Sequence, residues 1–82
     1  MRRDWEKVNI YAGGQTVQQV FSEDVPMGSI NPKTGHEIVV KIIRRGKVLC
    51  KDYGKIMTND CRFDDMPAKK MVRWPDEIRI YV

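Results

Sequence analysis

Few residues in this chain could bind a metal or attack a substrate. Cys50, Cys61 and His36 are the whole pool of cysteine and histidine. A structural zinc site takes four such ligands in short paired spacings, and neither CxxC nor HxxxH occurs. No metal and no cofactor is therefore expected. One disulfide between Cys50 and Cys61 is conceivable, but small secreted scaffolds usually carry several bridges behind a signal peptide. The expectation is two reduced thiols of structural use. Cys61 as a nucleophile would need His36 folded beside it, with Arg62 lowering the thiol pKa. Nothing in the spacing requires that.

Asp64-Asp65 and Asp76-Glu77 each set two carboxylates side by side. Neighbouring residues do not face one another on a helix or a strand, so neither pair reads as an acid–base couple. Asp64-Asp65 before Met66-Pro67 reads as a helix cap with proline in the first turn. Pro75-Asp76 matches the first two positions of a nuclease signature, but no lysine follows Lys70 to complete it. Gly13-Gly14-Gln15 lacks the spacing of a phosphate-binding glycine loop and reads as a turn. An RNase-type toxin remains an alternative. It would use His36 as general base, Glu37 or Asp60 as its partner, and Arg44 or Arg45 on the phosphate.

The basic residues are more informative. Residues 31–60 hold seven lysines and arginines against three acids, in a chain of net charge +4. Residues 37–53 read as a hairpin, with Glu37–Ile43 going out, Arg44-Arg45-Gly46 turning and Lys47–Tyr53 returning. A two-residue turn would force Arg45 to positive φ, so a three-residue loop with Gly46 last is expected. Ile38, Val40, Ile42, Val48 and Cys50 then form the core face. Val39, Lys41, Ile43, Lys47, Leu49 and Lys51 form the outer face, with Arg44 and Arg45 at the tip. Three large aliphatics among lysines suit an acidic protein partner, the aliphatics for area and the lysines for steering. Arg73 and Trp74 are of the types that dominate interfaces.

Other elements must hold this hairpin. Residues 6–12 alternate up to Gly13-Gly14 and read as a strand. Thr16 and Gln19 fit a capping box, and Val17, Val20 and Phe21 then carry a short helix to about Asp24. Val25–Gly35, with two prolines and two glycines, reads as loop. A second helix is expected from Asp64-Asp65 to Trp74, with Ala68, Met71 and Val72 on one face and Pro75 ending it. Residues 77–82 alternate and read as a last strand inside the sheet.

The expected fold is a small single α+β domain over residues 1–82. It has three or four mostly antiparallel strands and one or two short helices; an all-β small barrel is the alternative. The chain has 82 residues, of which 41% are hydrophobic and 32% charged, which argues against general disorder. No apolar run exceeds three residues, as in Ile38-Val39-Val40, so neither a membrane span nor a signal peptide is expected. A cytoplasmic address follows, in a host cell if the protein is viral.

With no catalytic constellation imposed by spacing, the sequence points to a non-enzymatic binding module. In scale it resembles a phage-like accessory inhibitor or adaptor. It would dock on a larger protein or ribonucleoprotein complex with an acidic surface through Lys41, Ile43, Arg44, Arg45, Lys47, Leu49, Lys51, Arg73 and Trp74. Binding of DNA or RNA by the same basic hairpin is the main alternative.

Overall fold

Helix α1 (Val17–Asp24) begins at a closed capping box. The Thr16 hydroxyl accepts from Gln19 N at 3.2 Å, and the Gln19 side chain accepts from Thr16 N at 2.8 Å. Two amides that a helix start leaves without partners are thereby satisfied. Val17, Val20 and Phe21 share one stripe and are buried, each contributing about 2 kcal/mol of apolar burial. The computed structural model describes residues 7–25, 30–58, 60–63 and 65–82. Glu6 of the expected first strand, Pro26 and Gly28 of the expected loop, and Asp64 of the expected second cap lie outside them.

Five strands form one open sheet: β1 (Lys7–Ile10), β2 (Val39–Arg44), β3 (Lys47–Cys50), β4 (Lys70–Arg73) and β5 (Glu77–Tyr81). Their order is β1-β4-β5-β2-β3. Three of the neighbouring pairs are antiparallel, and β2 with β5 is parallel. With two helices this is an α+β fold, with more strands than expected. The sheet ends at two free edges, β1 and β3, so the barrel alternative is set aside. As expected, the last strand lies inside the sheet, between β4 and β2.

The second helix expected up to Trp74 is absent, and residues 70–73 are strand β4. Met71 and Val72 are both buried, but on opposite faces of the sheet. Adjacent apolar residues fit a helical stripe and a two-sided strand equally well, and here the strand wins because β1 and β5 flank it. Upstream, the chain runs beside the start of α1. Val17 N donates to Met66 O at 2.8 Å and Ala68 N to Gln15 O at 2.7 Å. Gly13-Gly14-Gln15 is a turn, and Gly14 adopts φ +83°.

The hairpin departs from expectation at its tip. The loop is two residues long, Arg45 at φ 51° and Gly46 at φ 78°, and Arg44 pairs with Lys47. Turns with both central residues at positive φ match the twist of paired strands, which outweighs about 1 kcal/mol of strain at Arg45. Leu49 is then a bulge. Val48 sits opposite Ile43 and Cys50 opposite Ile42, so Leu49 has no opposite residue. Cys50 returns to the core face, while Val48, expected in the core, is exposed. Bulges of this kind guard edge strands against further pairing.

Strand β3 stops at Cys50, and residues expected in it open α2 (Tyr53–Met57). The Asp52 carboxylate accepts from Gly54 N at 2.9 Å and Lys55 N at 3.4 Å, which caps that helix. A disulfide joins Cys50 to Cys61, whose Cα atoms are 6.2 Å apart, so the expectation of two free thiols is corrected. The turn made by α2 folds the chain back and brings the pair together. The core lies on one face of the sheet. Val40, Ile42, Met71, Ile78 and Ile80 pack there against α1, with Tyr53, Ile56, Phe63 and Met66 at its margin.

Candidate functional site

Among the described residues the other face of the sheet has no such cover. Register aligns its side chains in rows, because residues opposite one another point to the same side. One row runs Ile10, Lys70, Tyr81, Ile43 and Val48 across all five strands. The next runs Val8, Val72, Arg79 and Lys41. Val39 and Glu77 form a third, with Trp74 at its end, where Trp74 N donates to Glu77 O at 2.8 Å. Ile43 and Val72 are buried here, yet neither belongs to the core cluster under α1. Their row neighbours, long side chains of the same face, supply the cover. Among the described residues no helix packs on this face.

Its polar groups are organised in pairs. Arg79 lies 4.7 Å from the centre of the Trp74 ring, and Lys70 Nζ lies 4.7 Å from that of Tyr81. Such contacts are worth about 0.5–1 kcal/mol at exposed sites. Glu77 accepts from Lys41 Nζ at 2.6 Å and from Arg79 Nη2 at 3.3 Å. The Lys41 hydrogen bond, assisted by the Arg79 charge, holds the Glu77 carboxyl below its ordinary range. Arg79 Nε is buried with no hydrogen-bond partner. The face thus carries three cations against one acid. Around them Val8, Val39 and Val48 are exposed, and Ile10 is 75% exposed.

Of the residues expected to bind a partner, Lys41 and Ile43 stand on this face. Arg44 and Arg45 are at the hairpin tip, exposed. Lys47 pairs with Arg44 and so faces the helix side; Leu49 lies in the bulge, and Lys51 is exposed beyond the end of β3. Arg73 and Trp74, expected as partner contacts at the end of the second helix, serve opposite faces of the sheet. Arg73 Nη1 donates to Asp24 O at 3.4 Å, at the last carbonyls of α1, where a cation suits the helix dipole. Sequence reasoning did not group Lys70, Val72, Arg79, Tyr81, Val8 and Ile10 with the hairpin. The alternation of Glu77, Arg79 and Tyr81 was a readable signal, but the strand order that places them beside Lys41 was not.

The hydrolytic constellation is not assembled. His36 Nδ1 lies 3.3 Å from Asp76 Oδ2, whereas Glu37 or Asp60 was the expected partner. Asp76 also accepts from Thr34 Oγ1 at 3.1 Å and Asn31 Nδ2 at 3.3 Å, so it ties the 31–36 loop to the start of β5. Residues 39–43 of β2 separate this cluster from Arg44 and Arg45, a span of ~17 Å at ~3.3 Å per residue. Asp76 and Glu77 diverge, one into the loop and one onto the uncovered face. Among the described residues no group of three or more His, Cys, Asp or Glu could hold a metal, and no helix is long and apolar enough to cross a membrane.

No protein family, curated protein or solved structure matches this chain.

Proposed function

We propose that the protein is a non-enzymatic binding module, an inhibitor or adaptor that docks on a larger protein or ribonucleoprotein complex through the uncovered sheet face. The supporting observation is the composition of that face: exposed Val8, Ile10, Val39 and Val48 set around Lys41, Lys70 and Arg79. The aliphatics offer area to exclude water, and the cations steer the approach of an acidic partner. Trp74 under Arg79 is the natural anchor, since tryptophan and arginine carry much of the energy in measured interfaces. A cytoplasmic address belongs to the same reading. It requires the fold to stand with the Cys50–Cys61 bond reduced, because cytosolic thiols are kept so.

The test is affinity purification of the tagged protein from lysate, with and without nuclease, alongside the variant Ile10→Asp with Trp74→Ala. The reading expects one protein complex to survive nuclease and moderate salt, with at least tenfold less recovered on the variant. Circular dichroism checks that the variant is folded. Recovery of nucleic acid alone, abolished by nuclease, would replace this reading with nucleic-acid binding.

A further inference from the structure

We propose that the concavity between the β2–β3 turn and the start of β4 is a phosphate site, taking a nucleotide unit. It opens at the end of the sheet, where Arg44 comes from the helix side, Lys70 and Tyr81 from the uncovered face, Arg45 from the turn and Lys69 from just ahead of β4. The turn and the start of β4 are far apart in sequence and meet only because β5 carries β4 alongside β2. This inference does not rest on the docking reading.

The charge pattern sets this place apart from the rest of the sheet. Lys41 and Arg79 share Glu77, but among the described residues no aspartate or glutamate lines the concavity. Among the described residues Arg44 meets only the Met66 sulfur, at 4.0 Å, and Lys70 only the Tyr81 ring. Among the described residues none of the four cations is in an ion pair. Like charges gathered from separate segments repel unless an anion joins them. Two guanidinium forks and two ammonium groups offer more donors than one carboxylate can accept, and suit a group with several oxygens on one centre. The volume, about 820 Å³, exceeds a single phosphate and falls in the range of small-ligand sites. Met66, Pro67 and the Tyr81 ring provide apolar area beside the cations, where the flat body of a base can rest. The shared chemistry is a phosphate carried on such a body, whether in a free nucleotide or in a single strand.

The experiment is an amide NMR titration of the full chain at constant ionic strength. Inorganic pyrophosphate, a mononucleotide and a single-stranded RNA oligomer are the probes. Saturable shifts are expected at residues 44–46, 66–70 and 81. Arg45→Gly combined with Lys69→Ala should weaken binding at least tenfold. Glycine suits the positive φ of residue 45, so that loss will not reflect unfolding, and the spectrum itself reports the fold. Lys33→Ala with Lys55→Ala removes the same charge elsewhere and should change affinity less than twofold. Equal affinity for mononucleotide and oligomer identifies a free nucleotide as the source. Tenfold tighter oligomer binding, with shifts spreading to Trp74 and Arg79, identifies a strand. Shifts that grow without saturating, or equal losses in the two double variants, would overturn the proposal.

Discussion

Tyr11 lies just past β1, and its hydroxyl donates to Asp24 Oδ2 near the end of α1. Burial, and then the Asp24 bond, push the phenol up to about 12. An unfolded tyrosine titrates near ~10. The folded chain therefore holds this proton more tightly, and the contribution to stability is complete below pH ~10 and lost as pH rises toward ~12. An ultraviolet titration should show a tyrosinate step displaced upward that vanishes in Tyr11→Phe. In Asp24→Asn the same step should move down; an unmoved step would mean that Asp24 does not hold the phenol. Arg45 is the opposite kind of residue, one held against its preference. It occupies a backbone region that glycine takes at no steric cost, and the return is a two-residue turn whose twist matches that of the paired strands.

Helix α2 has five residues, too short to persist on its own. It depends on the Asp52 cap, on Tyr53 against Phe21 with ring centres 5.3 Å apart, and on the Cys50–Cys61 bond behind it. A bridge spanning 11 residues should contribute about 3 kcal/mol by restricting the unfolded chain. Urea unfolding of Cys50→Ser with Cys61→Ser should show a loss of that size, with cooperative unfolding retained. Cys50 packs against the core under α1 from its margin only, and domains typically hold about 5–15 kcal/mol in all. A variant that is unfolded in water would sink the cytoplasmic address as well. Elements set by local chemistry were legible in the sequence: the Thr16–Gln19 capping box, the alternation of Ile38, Val40 and Ile42, and the last strand. Others depended on distant partners. Met71-Val72 reads as a strand only once β1 and β5 stand beside it, and the bulge at Leu49 follows from a turn that local steric preference argued against. For the same reason the hairpin part of the uncovered face was legible, while Lys70, Arg79 and Tyr81 were not placed beside it.

The molecule as a whole is two antiparallel pieces joined along one seam. Strands β1 and β4 associate with β5, β2 associates with β3, and within the sheet the parallel pairing of β5 with β2 unites them. A proline at Lys41 would remove a ladder donor at that seam, since the amides of alternate β2 residues from Val39 on point to β5, whereas one at Val8 would disturb only an edge. Lys41→Pro should abolish cooperative unfolding and collapse the dispersion of the amide spectrum. Val8→Pro should leave most of both intact, and equal damage from the two would mean that β1 matters as much as the seam. The seam also has a consequence in time. Synthesis delivers the β2–β3 hairpin about thirty residues before β5 is complete, an interval of roughly 2–6 s at ribosomal rates. Throughout it, the inner edge of β2 waits with no strand beside it and with Val40 and Ile42 bare. The growing chain is therefore most exposed to mispairing in the seconds before its last strand arrives.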